Sequence, residues 1–95
     1  MKPNVRFKFR QYVAGDTPNS ARAMANLTAL CKTHLEGCHE IEIVDVFKEP
    51  LRALADGIMM TPTLIVLEPL PVRRIVGSLS HLAIILQTLD LGAAE

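Results

Sequence analysis

A chain of 95 residues suits one domain, and at that length roughly 60–70% of the unfolded surface can be buried. Hydrophobic residues make up 49% of it, which excludes a disordered chain. Ten basic and ten acidic residues cancel, so the basic excess of a nucleic-acid binder is missing.

In chain order, Val5, Phe7, Phe9 and Val13 alternate with Arg6, Lys8, Arg10 and Tyr12. A period of two predicts a first strand. Gly15-Asp16-Thr17-Pro18 breaks it. Thr17 suits a helix N-cap, and Pro18 suits the first helical position, whose N–H has no intrahelical partner anyway. Met24, Leu27, Cys31 and Leu35 then recur every three or four residues, the stripe of an amphipathic helix that Gly37 ends. Ile41–Val46 reads as a second strand, parallel to the first through a right-handed crossover. Pro50 opens a short helix carrying Leu51 and Leu54, and Gly57 closes it. Thr63–Leu67 reads as a buried strand, Glu68-Pro69-Leu70-Pro71 as a stiff turn, and Val72–Val76 as a strand returning antiparallel. Ser78 caps a last helix with Leu79, Leu82, Leu86 and Leu89 inward. Within that helix Leu82-Ala83-Ile84-Ile85-Leu86 is an unbroken apolar run, where periodicity alone does not separate helix from buried strand. Its length and cap favour helix.

The order β-α-β-α-β-β-α over residues 1–95 is that of a single thioredoxin-like α/β sandwich domain, with no linker or repeat. Charge is segregated along it. Residues 1–35 carry Lys2, Arg6, Lys8, Arg10, Arg22 and Lys32 against Asp16 alone, whereas residues 36–72 carry seven acids against Lys48 and Arg52. Alone, the first segment would pass for an RNA or membrane patch. Side by side, the two strands neutralise each other, with Arg6, Lys8 and Arg10 facing Glu40 and Glu42. Met1–Arg10 alternates charged and apolar residues, unlike a secretory signal, and no apolar run approaches a membrane span. With only two cysteines, a reducing cytoplasm is expected.

Thioredoxin-type redox chemistry needs Cys-x-x-Cys at the turn into the first helix, where the helix N-terminus lowers the nucleophile's pKa. Gly15-Asp16-Thr17-Pro18-Asn19-Ser20 stands there instead and carries no thiol. A Ser or Thr at that turn could hold glutathione, but capping is the commoner use. Cys31, His34, Cys38 and His39 are all zinc-competent side chains, yet their spacing matches no strong zinc signature. Cys31 also fits the apolar core, and a Cys31–Cys38 disulfide stays open. Thr61-Pro62-Thr63 opens the third strand, as a strand-start proline would. Arg73 and Arg74 point to opposite faces of one strand, which suits a partner site or edge protection equally. Asp16, Asp45, Glu49 and Asp56 have no paired acid–base spacing, and no phosphate loop, G-x-S-x-G or H-E-x-x-H is present. The residues show no enzyme site.

Taken together, Tyr12–Ser20, Ile43–Val46, Thr61–Leu64, Pro71–Gly77 and Leu89–Leu91 resemble the KaiB family of circadian-clock proteins over about Tyr12 to Leu91. The resemblance implies a non-enzymatic protein without a cofactor or metal. It implies binding to the ring of a KaiC-type ATPase, competition there with the kinase SasA, sequestration of KaiA, and homo-oligomers (dimer or tetramer). Neither nucleic acid nor membrane is an implied partner. It also implies a second, fold-switched β-α-β-β-α-α-β tetramer state. Pro62 is expected to be cis by resemblance, and Pro62, Pro69, Pro71, Thr88 and Asp90 lie in the half that rearranges. Partner binding is expected around the second strand and second helix, through Asp45 and Lys48, and through the basic residues Arg22, Arg73 and Arg74. The chain departs from the family at Lys8, Gln11, Ser78 and Thr88, and Gly57-Ile58-Met59-Met60 is an unusual approach to Pro62. A KaiB-like stress-response role, a sensory domain of a SasA-type histidine kinase, and a thiol- or glutathione-dependent enzyme are the alternatives.

Overall fold

Residues 6–91 are described by a computed structural model. The elements are β1 (Phe7–Val13), α1 (Pro18–His34), β2 (His39–Asp45), α2 (Pro50–Ala55), β3 (Thr63–Glu68), β4 (Arg73–Val76) and α3 (Leu82–Thr88). This is the expected order. The four strands form one mixed sheet in the order β2-β1-β3-β4. β1 is parallel to β2 and antiparallel to β3, and β4 runs antiparallel to β3. Val5 of the expected first strand lies outside the described residues.

Strand alternation sends side chains to two covered faces. Phe7 and Phe9 of β1 and Leu64 and Val66 of β3 pack with Leu27, Leu30 and Cys31 of α1 and with Ile85 and Leu89 at α3. The other face holds a smaller cluster, in which Tyr12, Val44 and Ile65 meet Ala53 of α2. Two covers explain why Gln11, Tyr12 and Val13 are buried in succession. The sequence expectation set Tyr12 with the outward-facing residues. Instead α2 closes over it, and its exposure is 0%. Gln11 is equally buried; its Nε2 donates to the Tyr12 carbonyl at 3.1 Å, while its Oε1 meets no partner among the described residues.

Several local expectations change. The inward stripe of α1 is Ala23, Leu27, Leu30 and Cys31, with Leu35 just beyond, and Met24 is only half-buried. Pro18 opens α1 as expected, but the Thr17 side chain makes no capping hydrogen bond. The last helix begins at Leu82 behind His81, not behind Ser78. The Ser78 carbonyl instead accepts from Asn26 Nδ2 at 2.8 Å, which ties the approach to α1. Leu79 is buried ahead of α3 at φ 61°, and Ile85 takes the inward place that Leu82 was expected to fill. Leu82–Leu86 is helical. The peptide bonds before Pro62, Pro69 and Pro71 are cis. Among the described residues no helix is long and apolar enough to cross a membrane.

Candidate functional site

The turn after β1 is a structural clamp. Ser20 is buried, and its Oγ accepts the Ala14 N–H at 3.0 Å. Asp45, at the end of β2, accepts the Gly15 N–H at 3.3 Å and the Phe47 N–H at 2.9 Å. One carboxylate thereby joins the turn into α1 to the loop into α2. Gly15 sits at φ +55°, and a Cβ there would lie 3.4 Å from Phe47 Cδ2. Glycine thus lets the Phe47 ring lie against the backbone. This arrangement holds a loop in place and offers no nucleophile.

Helix α2 is fixed to the sheet mainly by polar groups. Only Ala53 of its six residues is buried. Beneath it, the Tyr12 hydroxyl donates to Asp56 Oδ2 at 2.6 Å and lies 3.1 Å from the Arg52 carbonyl. Arg10 bridges β2 and α2, with Nε 2.9 Å from Glu42 Oε1 and Nη1 3.1 Å from Asp56 Oδ2. Arg52 reaches Glu42 Oε2 at 2.8 Å and Glu49 Oε1 at 3.4 Å. From β4, the Arg74 guanidinium donates to the Asp56 and Gly57 carbonyls at the C-terminal end of α2.

These contacts move the acid–base equilibria. Arg52, then Arg10, holds the Glu42 carboxyl down at about 2. The Tyr12 hydroxyl, and then Arg10, keeps Asp56 below the usual carboxylate range against the opposing effect of burial. Burial first, and Asp56 second, pushes Tyr12 up to about 12. Glu42 at about 2 and Tyr12 at about 12 lie far from neutrality, where a catalytic acid or base would titrate. The network is an anchor.

The same helix turns its apolar residues outward. Leu51 is 78% and Leu54 76% exposed, Phe47 before the helix is 73%, and Met59 and Met60 after it are 93% and 63%. Leu51 and Leu54, the leucines that helical spacing marks on α2, are therefore its outward residues. Ala53 and the polar anchors occupy the inward side. Lys48 and Glu49 are exposed beside Phe47. A run of large apolar side chains displayed on one short helix and its flanks, with charges at its border, is the pattern of a protein-docking surface.

The other partner candidates are dispersed. Arg22 is exposed on α1 and donates to Asn19 Oδ1 at 3.0 Å. Arg73 and Arg74 take opposite faces of β4. Arg73 donates to the Thr88 carbonyl, and its Nη2 is 3.6 Å from Asp90 Oδ2. Arg73 pairs with Val66, whereas Asp45 pairs with Val13, and three strand spacings separate β4 from β2, about 14 Å. Asp45 and Lys48 are thus brought to the α2 edge and Arg74 to the helix end, while Arg73 belongs to the α3 side. Thr88 turns its hydroxyl to the Ile84 carbonyl at 2.9 Å, and Asp90 sits at φ 61°.

Cys31, His34, Cys38 and His39 do not assemble a metal centre, nor does any other group of three His, Cys, Asp or Glu among the described residues. Both cysteines are free. Cys31 lies in the core, where burial, and then Cys38 nearby, pushes its thiol up to about 11. The Leu35 carbonyl lies 2.9 Å from His39 Nδ1 and accepts the Cys38 thiol at 3.3 Å. Sequence reasoning missed Tyr12, Arg10, Glu42 and Arg52 as a set. The facing of Arg10 and Glu42 was legible, and the register pairs them, but nothing in the spacing ties Asp56 to Tyr12.

The description "KaiB domain" matches residues 10–91. The circadian clock oscillator protein KaiB of Synechococcus elongatus is 43% identical over 91 residues, which span 96% of this chain and 89% of that one. Its counterpart in Prochlorococcus marinus is also 43% identical, over 96% of this chain and 78% of the relative. Among solved structures, the N-terminal domain of Synechococcus elongatus SasA superposes with a TM-score of 0.73 at 12% identity, covering 92% of this chain and 83% of that domain. Mitochondrial thioredoxin 3 of Saccharomyces cerevisiae gives 0.71 at 19% identity, over 95% and 82%. At such identities the likeness establishes the fold, which is thioredoxin-like.

Proposed function

We propose that this chain, which belongs to the KaiB family, is a non-enzymatic circadian-clock protein that docks on the ring of a KaiC-type ATPase and regulates its phosphorylation cycle. The observation that carries the docking reading is the outward apolar display of α2 and its flanks, Phe47, Leu51, Leu54, Met59 and Met60. It lies beside Asp45 and Lys48, where the family resemblance puts partner binding. The turn that holds thiols in a redox enzyme is here occupied by Gly15 to Ser20, and Ser20 is committed to the Ala14 backbone. A SasA domain of the same fold would compete for one ring surface. Free cysteines fit a reducing cytoplasm. The fold-switched state belongs to the same proposal. Only Ile85 of α3 is buried, so the last helix is lightly held and can exchange between two packings of similar energy.

The test is a binding titration against a purified KaiC-type ATPase. Phe47→Ala and Leu51→Ala should each weaken docking about tenfold or more, the loss of ~1.4 kcal/mol or more that an interface anchor carries. Combined charge reversal of Arg22, Arg73 and Arg74 tests the basic contribution separately. Unchanged affinity in both apolar variants, with folding intact, removes the α2 surface from consideration.

A further inference from the structure

Two of the four methionines of the chain are adjacent, and they are the sulfur-bearing part of the outward apolar display. Met59 is 93% and Met60 63% exposed, whereas Met24 on α1 is half-buried. The loop that carries them is pinned on both sides. The Ile58 N–H donates to the Ala53 carbonyl at 2.9 Å, and the Ile58 side chain packs on the cluster under α2. The Thr63 hydroxyl donates to the Met60 carbonyl at 2.5 Å. Arg74 holds the Asp56 and Gly57 carbonyls immediately before. Both thioethers are thus displayed by a fixed backbone, on the segment that follows α2 and its exposed leucines in the chain.

We propose that Met59 and Met60 form an oxidative modification site that takes a hydroperoxide and turns docking off. The reaction is balanced by the oxidant alone. A thioether sulfur lone pair attacks one peroxide oxygen, the O–O bond breaks, an S–O bond forms, and water leaves when the peroxide is hydrogen peroxide. Sulfur is oxidised by two electrons and the peroxide reduced by two. The product is polar and chiral where the side chain was flexible and apolar, and reductases specific for each epimer restore it. Exposure governs susceptibility, which singles out these two over Met24. The inference rests on the docking reading of the α2 surface given above.

The experiment treats the uncomplexed protein with hydrogen peroxide, follows each methionine by peptide mass spectrometry, and titrates the product against a KaiC-type ATPase. Met59 and Met60 should oxidise well before Met24. The doubly oxidised protein should bind at least tenfold more weakly and recover after treatment with both methionine sulfoxide reductases. The affinity of the Met59→Leu/Met60→Leu variant, whatever its level before treatment, should be unchanged by peroxide. Parent-like docking by doubly oxidised protein overturns the inference, as does a Leu/Leu variant that peroxide still disables, or oxidation of Met24 ahead of the pair. The two failures are separable. If Phe47→Ala and Leu51→Ala impair docking but oxidation does not, only the methionine inference falls; if neither apolar variant impairs docking, both readings fall.

Discussion

Replacing Tyr12 with phenylalanine probes how α2 is held. The ring is fully buried and would remain so; the change removes one hydroxyl, whose hydrogen bond to Asp56 Oδ2 is 2.6 Å long. A hydrogen bond to a charged group is worth ~1.5–3 kcal/mol net. Asp56 keeps Arg10 at 3.1 Å and is partly solvated, so the expected loss is near the middle, ~2 kcal/mol. Against a total of ~5–14 kcal/mol for a domain of this size, that is a large fraction, and it corresponds to a fall in Tm of about 8–16 °C. The assay is urea unfolding followed by circular dichroism, with Asp56→Asn and the double variant completing a cycle. The pH dependence separates the hydrogen bond from packing. Asp56 has its folded pKa lowered, first by Tyr12. Its contribution is therefore full above the unfolded carboxylate value near ~4 and is lost as the pH falls through the folded value. The Tyr12–Asp56 coupling should shrink as the pH is taken from 7 toward 2. A Tyr12→Phe loss under ~0.5 kcal/mol at pH 7, no larger than the roughly 0.3–0.5 kcal/mol error of additivity, or a coupling that does not change with acid, would refute the anchor role.

Other perturbations probe the remaining links. Glu42 has its carboxyl held at about 2 instead of 4.5, first by Arg52 and then by Arg10. Its share of stability is present above pH ~4.5 and disappears between there and ~2, so Glu42→Gln should flatten the acid limb of a stability–pH curve. Gly15→Ala places a Cβ at φ +55° and 3.4 Å from the Phe47 ring; a loss of about 1–2 kcal/mol is expected from the left-handed conformation alone, with a shifted Phe47 resonance by NMR. Gln11→Met removes a buried Oε1 that has no partner among the described residues, and with it the Nε2 hydrogen bond to the Tyr12 carbonyl, at nearly constant volume; relief of about 1–3 kcal/mol against a loss of about 0.5–1.5 kcal/mol should raise stability by about 1 kcal/mol in urea unfolding. Ile85→Ala should cost about 2–5 kcal/mol by opening a cavity, and secondary shifts over residues 79–91 should show α3 lost before the sheet.

The first half of the fold was legible because local and tertiary signals agree there. Phe7 and Phe9 alternate with Lys8 and Arg10, α1 opens at Pro18, and β2 supplies acids where β1 supplies bases. The register then sets Arg10 opposite Glu42 and Lys8 opposite Glu40. Alternation failed at Gln11 and Tyr12, since a period of two reports one covered face and this sheet has two. It failed again after Val76. Ser78 looks like a cap, but its carbonyl is used by Asn26, Leu79 is buried outside the helix, and α3 starts at Leu82. Tertiary bonds from α1, which leave no local signature, set that boundary.

The orientation of α2 was the least legible feature, and it is the one that bears on function. Leu51 and Leu54 recur at helical spacing, and such spacing normally marks the buried stripe. Six residues are too short for the pattern to identify which side faces the sheet. What orients the helix is the polar set, Tyr12, Arg10 and Arg74 drawing Asp56 and its neighbouring carbonyls inward. Those partners come from β1 and β4, distant in sequence. Once they are satisfied, the two leucines can only point to water. The paired charges beneath α2 and the exposed leucines are therefore one device: the anchor that costs the sheet an apolar contact is what leaves the leucines free for a partner. A single substitution that weakens the anchor, such as Tyr12→Phe, should accordingly weaken docking as well as folding, although Tyr12 itself is out of a partner's reach.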